Sequence, residues 1–326
     1  MKKDTLSKLG PLASQNAVYA LIVILFLLYL FTGAWAFGIF AGLAIVWVVA
    51  LEFLKGTKEH GLGNELKETA LALLLALVVW FGSGWVLQTS SPLNAIVSCS
   101  MLPNVQRGDM VILSGDRLDA PVVDVGTLSG LDGSAAVYES GEKVATVKGS
   151  IYSYCAQNSG APICYDFVAH PERFTERHGP LTMGYAACAV LYPKTGKTQN
   201  APCVVWVEVN GVRYYENISN DIPVYAPEKD EYYSRVGDII HRAYLKLNAD
   251  GKTYFVTKGD NNPILDIQVY DEANRMGNRP VEVERSKGRV LLSIPYLGYF
   301  KLFLSPAAFI SGEGGCDRYY AKYAKE

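Results

Sequence analysis

The stretch Ser98-Cys99-Ser100-Met101-Leu102-Pro103 sets two hydroxyls and a thiol side by side, and no charged residue lies between Glu68 and Arg107. A serine is a nucleophile only when a base takes its proton, and that base usually needs an orienting group. Four histidines are available: His60, His170, His178 and His241. His60 follows an apolar run, and His170 and His178 lie in a polar, loop-rich middle region. His241 ends an apolar run in "VGDIIHRAYLKL", where strand-like alternation would hold an imidazole rigidly. Taken alone, it reads first as an ordinary hydrogen-bonded core or surface histidine. Downstream, "YFVTKGDNNPILD" frames a turn with two carboxylates, Asp260 and Asp266. That segment reads as an Asx turn or a weak cation loop, too poor in ligands for an EF-hand. Lys258 is a rival base, but a lysine base needs a burial-lowered pKa, of which the sequence gives no sign.

The elements that would position these residues begin with hydrocarbon. From Leu9 to Leu51 there is no charged side chain. One straight helix of that length would run ~64 Å, about twice a bilayer core. "TGAW" and Gly38 divide the run into two spans, roughly 13–31 and 35–54, and "ALALLLALVVWFGSGWVL" predicts a third over 70–88. This third run lies too far from the N-terminus for a cleavable signal peptide. Lys2, Lys3 and Lys8 precede the first run and Lys55, Lys58 and Lys67 follow it. The positive-inside rule puts both groups in the cytoplasm, which needs an even number of crossings between them. The third span then delivers the rest of the chain outside. Ser100 follows that span closely, so chain reach keeps it near the membrane surface.

All six cysteines (99, 155, 164, 188, 203 and 316) come after the last strong span. The four within 155–203 could form two disulfides in an oxidising compartment, with three pairings open. Cys99 would face away from Ser100 if the two were strand neighbours, and its ordinary role is packing. Beyond residue 88 the texture is that of short β-prone runs: "DMVIL", "AAVYE", "KVATVKG", "VVWVEV", "VRYYE", "IPVYA", "HRAYLKL", "TYFVT" and "RVLLSI". Gly, Pro and Asn/Asp turns separate them, and no amphipathic helix stands out. A net charge of −2 over 326 residues offers no nucleic-acid footprint.

Several segments, in order, resemble type I signal peptidases. "SCSMLPNVQRGDMVIL" is similar to the family's nucleophile box. "NDIPVYAP" and "IIHRAYLKL" resemble the next strand and the base-bearing segment. "TKGDNNPILD" is close to the corresponding box of the archaeal and endoplasmic-reticulum branch, and "KGRVLLSIPYLGYF" resembles the strand that closes the core. The resemblance covers roughly 88–113 and 220–304. It implies Ser100 as nucleophile, His241 as general base and Asp266 as the orienting carboxylate. It also implies Ser98 and the Ser100 N–H as oxyanion donors, and Asp260 as a supporting residue. The implied activity is cleavage of signal peptides after a small-x-small motif at the outer membrane face, with no metal or organic cofactor.

The implied partners are signal-peptide-bearing preproteins, the lipid bilayer and the secretion translocon, with no nucleic acid. The implied architecture is a mostly β catalytic domain (89–113 and 220–310) on the extracytoplasmic side of the plasma membrane. An α-helical anchor (1–88) precedes it. A β-rich, cysteine-containing insertion (114–219), longer than that branch requires, divides it, and a polar tail (311–326) follows. Asn217-Ile-Ser in the insertion is a glycosylation acceptor pattern. The stretch 290–310 reads as a strand followed by an interfacial segment, because Lys301, Pro295 and Pro306 interrupt its apolar run. Two rival readings use the same residues: an inactive membrane-anchored binding scaffold, and a peptidase specialised for one class of surface protein.

Overall fold

A computed structural model describes residues 15–32, 35–131, 133–303 and 316–320. The chain divides into two units, Met1–Trp85 with Tyr299–Ile310, and Val86–Gly298 with Ser311–Glu326. In the first unit, Leu- and Ala-rich runs form helices Gln15–Thr32, Trp35–His60 and Leu62–Val86. Helices over Ala36–His60 and Leu62–Val86 are long and apolar enough to cross a bilayer, whereas the first is apolar over the shorter stretch Ala17–Tyr29. Leu71, Leu73, Val78 and Phe81 are all more than half exposed, a surface compatible with a membrane anchor. The second helix outruns the expected 35–54: its last turn carries Lys58 and His60, which suit the carbonyl end of the helix dipole. Gly61 then takes the left-handed conformation, φ 82°, that ends such a helix.

The second unit is mostly β. A five-stranded antiparallel sheet has the order Leu93–Ala95, Met110–Ser114, Ser286–Ile294, Pro223–Tyr225, Ile239–Ile240. A second sheet runs Val281–Glu282, Lys252–Lys258, Arg242–Ala249, Val122–Gly126, its last pair parallel. A third joins the strands from Ser134 to Tyr215, with Tyr319–Tyr320 added to Leu181–Tyr192. Each of the nine β-prone runs lies on a strand. Three further strands, Val122–Gly126, Phe174–His178 and Leu181–Tyr192, lack so clear a pattern, as do two short helices, Ile151–Gln157 and Pro162–Ala169. The helices are too short for a periodic stripe, and their starts are local: the Ser150 hydroxyl accepts the Ser153 N–H, and Pro162 opens the second.

Two cores matter to the site. Ile96, Met101, Val105, Val111, Leu113 and Val224 pack within the five-stranded sheet. A larger one joins Phe167, Phe174, Leu181, Met183 and Val204 to Leu245, Leu247, Val256, Leu265 and Ile267. The 114–219 stretch therefore shares one hydrophobic interior with the strand Arg242–Ala249, which follows His241, and with the turn Asp266–Gln268. Disulfides join Cys155 to Cys164, Cys188 to Cys203, and Cys99 to Cys316. The last corrects the reading of Cys99 as a packing thiol. Ser286–Ile294 is a strand and Gly298–Phe303 a short helix, while residues 304–315 and 321–326 lie outside those described.

Candidate active site

Ser100 lies in a tight turn, not on a strand, just after Leu93–Ala95. The turn closes with Leu102 N–H to Cys99 C=O at 3.3 Å and Val105 N–H to Met101 C=O at 3.0 Å. Met101, 1% exposed, anchors the turn in the smaller core, a burial worth about 2 kcal/mol. On its other side, the Asn261 N–H donates to the Ser100 carbonyl at 2.7 Å and the Asn261 amide to the Cys99 carbonyl at 3.1 Å. A Cβ on Gly259 would sit 2.7 Å from that Ser100 carbonyl, so the close approach of the two turns requires glycine. The Ser98 hydroxyl, exposed, lies 3.2 Å from the Ser100 hydroxyl.

His241 occupies the break between Ile239–Ile240 and Arg242–Ala249 and is buried. Its Nε2 is 2.9 Å from Ser100 Oγ and its Nδ1 is 2.7 Å from Asp266 Oδ2. The Tyr233 ring meets the imidazole edge-on at 5.9 Å. The neighbouring Arg242 makes a bidentate pair with the fully buried Asp260, at 2.8 and 2.7 Å. Asp260 also accepts the Asn104 amide at 2.8 Å. This carboxylate thus ties the serine turn to the histidine strand and stands apart from the Ser100–His241–Asp266 chain.

Asp266 opens the 3-10 turn Asp266–Gln268 and is 2% exposed. Besides His241, Oδ2 accepts the Thr257 hydroxyl at 2.6 Å and the Tyr225 hydroxyl at 3.2 Å, and Oδ1 accepts Tyr233 at 3.3 Å. These donors fix the carboxylate against His241 Nδ1, and with the proton on that nitrogen Nε2 accepts from Ser100. Burial first, and the Asp266 charge second, push both tyrosine hydroxyls well above their ordinary 10.0, so they remain donors. Gln268 locks the turn: its Oε1 accepts the Leu265 N–H at 2.8 Å, and its Nε2 reaches the Tyr185 hydroxyl at 3.0 Å and the buried Glu176 carboxylate. Glu176 is also 2.9 Å from the His178 Nε2.

His178 is therefore deep in the interior, not in a polar loop, and His170 is a surface partner of Glu172. Lys258 is 1% exposed and ion-paired with Glu216 at 3.1 Å. Sequence reading missed Thr257, Tyr225, Tyr233 and Gln268; the turn chemistry around "TKGDNNPILD" pointed to the neighbourhood only. Among the described residues, no group of three or more His, Cys, Asp or Glu is placed to hold a metal.

A cleft of about 280 Å³ opens onto Ser98, Ser100 and His241, between residues 95–98 and 236–240. Both flanking strands are sheet edges. The Ile96 N–H and C=O bond to Asp109 and Gly108, so the backbone groups of Ala95 and Val97 face the opposite, cleft side. The arrangement can deprotonate a hydroxyl as it attacks a carbonyl bound along an edge strand.

No protein-family model matches the chain. It is 29% identical over 217 residues to an uncharacterized protein, MJ0260, of Methanocaldococcus jannaschii, covering 66% of this chain and 84% of that one. It is 33% identical over 72 residues to the signal peptidase complex catalytic subunit SEC11 of Leptosphaeria maculans, covering 22% of this chain and 42% of that protein. The similarity to a signal peptidase subunit is partial and does not single out one branch.

Proposed function

We propose that the chain is a membrane-bound serine endopeptidase that removes N-terminal signal peptides from exported proteins, of the branch that uses serine, histidine and aspartate. The observation that carries this is the continuous hydrogen-bond chain Ser100–His241–Asp266, at 2.9 and 2.7 Å, opening on a cleft between two sheet edges. Ser100 Oγ attacks the scissile carbonyl as its proton passes to His241 Nε2. Asp266 stabilises the imidazolium. His241 then returns the proton to the leaving amine, and water hydrolyses the acyl-serine by the reverse roles. Ser98 and the Ser100 N–H receive the oxyanion. The substrate lies extended against Ala95–Val97, like an added strand, and the small cleft favours small side chains before the cleaved bond. A hydrocarbon segment preceding that motif accords with the two apolar helices of this chain. The intact chain of hydrogen bonds favours an enzyme over an inactive scaffold. The proposed placement is the plasma membrane with the β unit on the extracytoplasmic side, where the three disulfides would persist. The test is to incubate the detergent-purified protein with a secretory precursor and sequence the product's new N-terminus. Cleavage after a small-x-small motif is expected; cleavage elsewhere, or none with several precursors, would count against the reading.

A further inference from the structure

A second groove, of about 560 Å³, lies next to the catalytic cleft and shares two of its lining residues, Tyr233 and Asn262. It is also lined by Tyr152 and Gln157 of the helix Ile151–Gln157 and by Tyr232 and Tyr270. One wall thus comes from the 114–219 stretch. We propose that this groove is the subsite for the mature side of the substrate, the extended polypeptide that follows the cleaved bond. The inference rests on the peptidase reading.

Three observations lead there. A polypeptide bound across Ser100 must leave the site on both sides. The cleft along Ala95–Val97 takes the residues before the bond, and the second groove continues it past Tyr233 and Asn262. The lining suits a chain of varied sequence, because tyrosine rings offer flat contact to any side chain while the Tyr232 and Tyr270 hydroxyls and the Asn262 amide meet peptide groups. The wall is also fixed beforehand. The Ser153 hydroxyl donates to the Gln268 carbonyl at 2.8 Å, the Gln157 amide to the Tyr270 carbonyl at 2.9 Å, and Gln157 Oε1 accepts the Glu272 N–H at 2.9 Å. A groove held open in this way costs a ligand little ordering of the protein. These bonds also tie the helix to the turn that begins at Asp266, so mature-side recognition and the carboxylate share one support.

The test uses the full-length Ser100→Ala protein and a precursor bearing a photoreactive residue on either side of the bond, with adducts mapped by mass spectrometry. A probe a few residues after the bond should label Tyr152–Gln157 or Tyr270, and a probe before it should label the 95–97 edge. Labelling of that edge by the first probe, or none by it while the second succeeds, overturns the subsite alone. Failure of both probes takes the peptidase reading with it. A kinetic arm uses the native serine and Tyr152→Ala. The KM for a precursor with an intact mature region should rise about tenfold relative to the KM for a peptide that ends just past the bond. An equal change for both substrates contradicts the proposal.

Discussion

Asp266 accepts hydrogen bonds from four side chains, His241, Thr257, Tyr225 and Tyr233, and that convergence fixes the imidazole with Nε2 toward Ser100. Tyr225 and Tyr233 ionise well above 10.0 in the folded chain because burial and the adjacent carboxylate both penalise the phenolate. The unfolded chain releases those protons at their ordinary pKa while the folded chain keeps them. Their stabilising contribution is therefore complete below pH 10.0 and is lost as the pH rises beyond it. Tyr225→Phe should cost about 1 kcal/mol at neutral pH and flatten the alkaline fall of the melting temperature. A decline as steep as wild type's would argue against this assignment. Ser98, 3.2 Å from the Ser100 hydroxyl, belongs to the same scale. Ser98→Ala should lower kcat by about 10²-fold with KM nearly unchanged, the mark of a group that acts on the transition state. A rise in KM at constant kcat would make Ser98 a ground-state contact instead.

The elements bring the reacting groups together through two turns. The serine turn and the Gly259–Asn262 turn meet with the Asn261 N–H on the Ser100 carbonyl, at a separation that leaves no room for a Cβ on Gly259. Gly259→Ala should displace the serine turn and reduce kcat by roughly 10–100-fold. The thermal midpoint, measured beside it, should fall by only a few degrees. Near-wild-type turnover would show that the turn yields without moving Ser100. The strands at this scale were legible where β-branched and aromatic residues alternate with polar ones, as in "HRAYLKL" and "TYFVT". Leu181–Tyr192 was not, because Gly184, Ala186, Ala187, Cys188 and Ala189 dilute its apolar signal and its pattern depends on the partner strand Lys197–Val209. The order of Ser100, His241 and Asp266 could be read from local motifs. Their donors Tyr225 and Thr257 could not, since nothing local in the sequence says which hydroxyl will meet a distant carboxylate.

At the scale of the whole molecule, the 114–219 stretch is part of the interior that supports the site. Phe174 and Val204 share a core with Leu245 and Leu265, and Glu176 reaches Gln268 in the turn that opens with Asp266. The sequence marked this stretch as extra length with its own cysteines, but shared packing is a property of three dimensions. The Cys99–Cys316 bond, across 217 residues, was hidden for the same reason. The ion pair of Lys258 with Glu216 likewise crosses from one stretch to the other and commits the rival base to a partner. Removing Lys258 alone would take a cation from the partly buried Glu216 carboxylate, so Lys258→Met is best made together with Glu216→Gln. The most direct measurement is the initial rate of precursor cleavage by wild type, Ser100→Ala and that double variant, each purified in detergent. The expected result is a loss of at least about 10³-fold in Ser100→Ala, with the double variant within about tenfold of wild type. Turnover persisting in Ser100→Ala, or lost only with Lys258, would contradict a serine activated by His241.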